Sequence, residues 1–246
     1  MKTQKDTISE RIEAYLSHQK EIYGDIVFDT SIQPEIDENP IILTETNEYM
    51  PNLEALNEIK TLEALYEYCL GVEELKTDLA NTQLVFGKGN PNADLLLIGE
   101  APGAEEDKQG EPFVGRSGQL LTKILEAINF TRDQIYIANI LKHRPPENRN
   151  PTAAERSRSL PYLLKQIDLI NPKLILCLGK VSAETLLGIS STMKDMRGTF
   201  HNFSEKYELL VTYHPAALLR NPNWKRETWE DVQLLRKRYD ELGCKP

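Results

Sequence analysis

DLLLIGEAPGAEEDKQGEPFVGRSGQLL (94–121) is the most informative segment of the chain. Its first seven residues, Asp94 to Glu100, form an apolar run too short for a helix and of the right length for a buried strand. A Pro/Gly turn and a carboxylate-rich loop follow, and a second Gly-bounded turn opens a helical pattern. Three more runs have the same character: IYIANILK (135–142), LILCLG (174–179) and ELLVTYHP (208–215). Helical patterns separate them, namely GRSGQLLTKILEAINF, TAAERSRSLPYLLKQIDLI and KVSAETLLG, and an amphipathic stretch from Trp224 to Leu242 comes last. The alternation predicts an α/β fold with three layers, α/β/α, around a central four-stranded, mainly parallel sheet. Such sheets bind ligands at the carboxyl ends of their strands. Glu100, Asn139 and His214 all fall there.

With 246 residues and 40% hydrophobic content, the chain has room for one well-buried domain and an appendage. The appendage is expected at residues 1–60, an acidic extension of short helical pieces and Pro-containing polar stretches such as DTSIQPEIDENP, to which no chemistry is assigned. Residues 61–246 form the domain, entered through the helical TLEALYEYCLGVEEL (61–75). A net charge of −9 argues against a nucleic-acid partner until its distribution is considered. Residues 1–80 carry 6 Lys/Arg against 18 Asp/Glu, and the remainder 23 against 20, so the rest of the chain is slightly basic. Lys142, Arg144, Arg149, Arg156 and Arg158 lie close together there and form either a phosphate-facing surface or a solvated basic loop. Cys69, Cys177 and Cys244 show no CxxC pairing and read as small buried hydrophobes. The opening MKTQKDTISERIEAYLSHQK has no apolar signal core, and no run approaches a membrane span of about 20 residues. A cytoplasmic location and no membrane contact are expected.

The Gly-rich loop 99–121 fits neither GxGxxG nor GxxxxGK[ST], which weakens a nucleotide-binding reading. Its amides near Ser117, at a helix start, suit a phosphate, although such loops often only turn the chain. Asn139 is an amide in an apolar strand, either a satisfied core Asn or a donor-acceptor pair complementary to the O4 and N3–H of uracil. Phe113 is an anchor for its polar loop or a face on which an extruded base stacks. In TYHPAALLRNP (212–222), Pro215 stops a strand and an apolar bulge precedes Arg220. A lone His214 is more often structural than catalytic, but an apolar wedge followed by Arg suits a loop that enters a duplex and grips phosphate.

These segments resemble the uracil-DNA glycosylases of family 4, within the uracil-DNA glycosylase superfamily. The resemblance runs from VFGKGNPNADLLLIGEAPG (85–103) to HPAALLRNP (214–222) and rests on GEAPGAEEDKQGEPFVGRSGQLL, YIANILKHRPPENRNPT and TYHPAALLRNP, in order. It implies hydrolysis of the N-glycosidic bond of uracil in DNA, starting base-excision repair, with free uracil and an abasic site as products. It implies that Glu100 positions the attacking water or supports the site electrostatically, and that His214 hydrogen-bonds uracil O2 as charge develops there. Phe113 would stack on the base, Asn139 would read its edge, the Ala101 backbone would line the pocket, and Glu106 would crowd the pyrimidine C5 position and exclude thymine. Leu218, Leu219 and Arg220 would belong to the intercalating loop.

The family also implies a 4Fe–4S cluster, and here the sequence departs from it. The four ligand positions hold Cys69, Val72, His143 and Ser159. Such clusters are normally held by four thiolates, with histidine an occasional substitute, so no cluster is expected. Two alternatives to a uracil-DNA glycosylase stand beside it: a non-catalytic DNA- or base-binding relative, and a glycosylase for other deaminated bases. A monomer is expected.

Overall fold

The computed structural model describes residues 52–244. Most of the acidic extension therefore lies outside the described residues. Within the described residues the order begins with α1 (Leu53–Glu58) and α2 (Leu62–Leu70), whose first turns are capped by the side chains of Asn52 and Thr61. Next come β1 (Lys88–Gly89), β2 (Leu95–Gly99), α3 (Ala104–Gln109) and α4 (Arg116–Ala127). β3 (Tyr136–Asn139) leads to α5 (Ala153–Ile170), which opens with a reciprocal cap between Thr152 and Glu155. β4 (Leu174–Leu178), α6 (Lys180–Leu187) and α7 (Met193–Met196) follow. The hairpin of β5 (Phe200–Phe203) and β6 (Tyr207–Thr212), the short α8 (Pro215–Arg220) and α9 (Lys225–Glu241) complete the order.

Among the described residues the sheet has six strands, in the order β1-β3-β2-β4-β6-β5, rather than the four expected. The four apolar runs pair in parallel as β3-β2-β4-β6, and β1 and β5 add antiparallel edges. Neither edge strand announces itself: β1 is two residues long, and β5, FHNF, alternates no apolar face. β2, β3 and β4 are buried along their whole length, as strands covered on both faces must be. One face packs Leu96, Ile98 and Ile175 against Leu163, Ile167 and Leu186 of α5 and α6. The other packs Leu95, Leu97 and Leu176 against Leu121 and Leu125 of α4 and Val232 and Leu235 of α9. Each such buried side chain contributes about 1.5–3 kcal/mol, so these two cores fix where the strand ends stand. A third cluster joins Leu56 of α1 and Leu65 and Cys69 of α2 to Phe86 and Tyr162.

From β2 the chain crosses to β3 on one side and then returns to β4 on the other, so β2 borders the topological switch. Ligand sites of such sheets open at that point. Among the described residues, no helix is long and apolar enough to cross a membrane.

Candidate active site

A cavity of about 280 Å³ opens over the carboxyl ends of β2, β3 and β6. Glu100, Ala101, Glu106, Phe113, Ser117, Asn139, His214 and Arg220 all line it, although they come from five segments of the chain. Sheet register brings the first of them together: Gly99 pairs with Asn139 across β2 and β3. A Cβ on Gly99 would stand 2.6 Å from Phe113 Cζ and would also collide with Asn139 Oδ1. Glycine there is what lets the amide and the ring meet.

Asn139 is 1% exposed, and its Oδ1 is a buried acceptor with no hydrogen-bond partner. An unsatisfied buried acceptor costs about 1–3 kcal/mol, a cost a ligand donor would remove. His214 caps α8 by accepting the Ala216 N–H at Nδ1, 3.1 Å away. The ring proton of the neutral imidazole therefore sits on Nε2, which is left to donate. Burial, reinforced by the Arg220 charge, lowers the His214 pKa to about 4, so the ring is neutral at physiological pH. Its ring lies 5.4 Å from that of Phe113, tilted by 31°. Burial raises the pKa of Glu100, a shift opposed by the charges of Arg156 and Arg220.

Phe113 holds a left-handed backbone conformation, φ 55°, which a non-glycine residue adopts only when its surroundings impose it. Two charged groups impose it here. Arg132 donates from Nη2 to Pro112 O (2.7 Å) and from Nη1 to Phe113 O (3.2 Å). Glu106 Oε1 accepts the Val114 and Gly115 N–H groups, each at 2.9 Å. Four consecutive residues are thus held by one guanidinium and one carboxylate, and the ring of Phe113 is presented at a fixed angle. Arg132 carries no signal in the sequence, because its targets are backbone carbonyls 19 and 20 residues earlier. Pro145, Asn148, Arg149 and Asn150 also line the cavity, and the sequence marks them only as part of a basic stretch.

Other expectations meet a different outcome. The wedge 216–219 is not a projecting bulge but part of α8, with Leu218 1% exposed and only Leu219, at 42%, facing outward. The basic stretch does not form one phosphate-facing surface. Lys142 is fully buried and donates to Phe86 O, Asn139 O and Gln166 Oε1, while Arg149 grips Glu155 through two bonds of 2.8 Å.

The positions that the family resemblance gives to cluster ligands do not fit a cluster. Cys69 is buried in the third apolar cluster, and burial pushes its thiol pKa up to about 12. Val72 packs in that same cluster, His143 Nδ1 is 3.0 Å from Thr82 Oγ1, and Ser159 donates to Ile140 O. Among the described residues, no group of three or more His, Cys, Asp or Glu side chains could hold a metal ion.

Comparison with known proteins bears on the same segments. A family model described as Uracil DNA glycosylase superfamily matches residues 86–233. The chain is 40% identical over 186 residues to the type-4 uracil-DNA glycosylase of Sulfurisphaera tokodaii, covering 72% of this chain and 84% of that protein. It is 39% identical over 169 residues to that of Archaeoglobus fulgidus, covering 65% and 85%, and 39% identical over 158 residues to that of Thermotoga maritima, covering 63% and 82%. Fold, cavity and matched residues coincide, and the chain belongs to the uracil DNA glycosylase superfamily.

Proposed function

We propose that this protein is a uracil-DNA glycosylase that hydrolyses the N-glycosidic bond of uracil in DNA and releases free uracil, leaving an abasic site. One observation carries the reading: the buried, partnerless Oδ1 of Asn139 shares a cavity with a neutral His214 whose Nδ1 is already occupied. Uracil would give its N3–H to that oxygen and take the Asn139 amide N–H at O4. Cytosine presents the opposite pattern at both atoms. His214 Nε2–H would donate to O2, where negative charge grows as the bond breaks, and a preorganised donor there lowers the barrier most. Phe113 would stack on the base extruded from the duplex. Glu100, beside the sugar, would face the oxocarbenium-like centre and hold the attacking water.

Glu106 would shut out the thymine methyl while bracing the loop, Ala101 would line the pocket through its backbone, Ser117 and Arg220 would meet phosphate, and Leu218 and Leu219 would belong to the element that enters the duplex, with Leu219 as its exposed contact. The domain would span 61–246, with Leu56 of α1 packed onto it. The protein would act without an iron-sulfur cluster, as a cytoplasmic monomer. The names of its relatives support the activity. The test is incubation with an oligonucleotide containing one uracil, then alkali, beside a thymine control and a visible absorbance scan. Cleavage only at uracil, from colourless protein, is expected; no cleavage would sink the reading.

A further inference from the structure

Just beyond α8, Trp224 and Lys225 take no part in the excision chemistry, although they follow Leu219 and Arg220, which do. Trp224 is 36% exposed and Leu219 42%. The Trp224 ring lies 4.8 Å from that of Tyr213 and within 6° of parallel, and Tyr213 immediately precedes His214. The Trp224 main chain is held on both sides: Trp224 N donates to Asn221 O, and Thr228 Oγ1 donates to Trp224 O at 3.0 Å. Burying one ring face on Tyr213 while exposing so much of the rest is poor economy for a core residue. It suits a platform.

The charges agree. Arg220 lines the cavity and Lys225 follows Trp224 directly. Both are exposed, and among the described residues neither side chain makes a hydrogen bond or a close ion pair, although the Arg220 charge is felt by Glu100 and His214. Arg226 does not count with them, because it pairs with Glu230 at 3.4 Å. An exposed leucine, a cation that lines the cavity, a half-exposed indole and a second exposed cation therefore follow in the order Leu219, Arg220, Trp224, Lys225 along the chain. Aromatic faces interleaved with unpaired cations bind single-stranded nucleic acid, the bases stacking and the cations meeting phosphates.

We propose that Trp224, flanked by Arg220 and Lys225, is a stacking platform for an unpaired base next to the uracil, so that the strand carrying the uracil is held in single-stranded form beyond the cavity. This rests on the glycosylase reading for the location of the uracil, and adds a second contact on the same strand.

The chain has two tryptophans, so Trp229→Phe leaves Trp224 as the only indole reporter. In that variant, a uracil-free single-stranded oligonucleotide at low salt should quench the fluorescence saturably, the matching duplex should quench it less, and adding Lys225→Glu should weaken the effect. In uracil excision from a single-stranded oligonucleotide, Trp224→Ala should raise KM about tenfold with kcat unchanged, in keeping with the loss of one base-aromatic stack. Trp224→Tyr should restore most of it, which a merely structural role would not predict. Absence of quenching, or equal quenching by the duplex, overturns the platform. An unchanged KM in Trp224→Ala also overturns it while leaving excision intact. If the wild-type protein excises no uracil, the glycosylase reading fails instead, and the quenching experiment alone decides the platform.

Discussion

Replacing Asn139 by Asp isolates the base-reading step. The side chain is 1% exposed and makes no hydrogen bond of its own among the described residues, since Lys142 bonds the Asn139 backbone carbonyl rather than its amide. The substitution therefore breaks no internal contact, and any loss of activity reports on substrate. An ionised carboxylate keeps an acceptor for N3–H but turns a second acceptor toward uracil O4. One donated bond is lost and one buried carbonyl is left facing like charge, each about 1–3 kcal/mol. Together they amount to roughly 3–4 kcal/mol, or about 100- to 1000-fold in kcat/KM. The assay is excision from a uracil oligonucleotide under single-turnover conditions, with thermal unfolding as the control for folding. A change below about threefold in a folded variant would refute the argument that this amide reads the base.

Four shorter predictions accompany it. Because the folded pKa of His214 is lowered to about 4 from the ordinary 6.5, the unfolded chain takes up a proton between those values that the native state refuses. Stability should thus fall by roughly 3 kcal/mol as pH drops through that window, and urea unfolding of His214→Asn should lose this part of the slope. Gly118→Ala would set a Cβ 2.8 Å from Phe113 Cα and onto the Phe113 carbonyl, so a loss of about 3 kcal/mol in stability is expected; an unchanged melting temperature would show that the loop yields. Arg132→Met frees the Pro112 and Phe113 carbonyls and should lower kcat/KM at least tenfold, a result that wild-type kinetics would contradict. Treatment with an iron chelator and an oxidant should leave excision unaltered, and parallel loss of activity and visible absorbance would show that a cluster does hold the loops.

What could be read from the sequence was whatever depends on local pattern. The four central strands are continuous apolar runs, and Glu100, Asn139 and His214 stood out as polar residues at their ends. β1 and β5 escaped notice because edge strands need no such run. Lys142 looked like part of a basic surface because its acceptors, Phe86 O and Gln166 Oε1, lie 56 and 24 residues away. Leu218 and Leu219 could not be told apart until helical rather than extended geometry turned one inward. Arg132 was invisible for a similar reason, since nothing in a sequence marks which backbone carbonyls will go unpaired.

The two added strands also bear on how the molecule behaves among its own copies. A slab of four parallel strands would end in two rows of free amides and carbonyls, each a template for a strand of a neighbouring chain. Here one border is only Lys88 and Gly89, with the lysine tied to Glu111 at 2.8 Å, and the other is the short, polar-flecked Phe200–Phe203 doubled back on β6. Both borders are too short to seed a growing stack. Crowding should therefore drive little sheet-to-sheet aggregation, whatever happens at the end of the sheet that meets substrate.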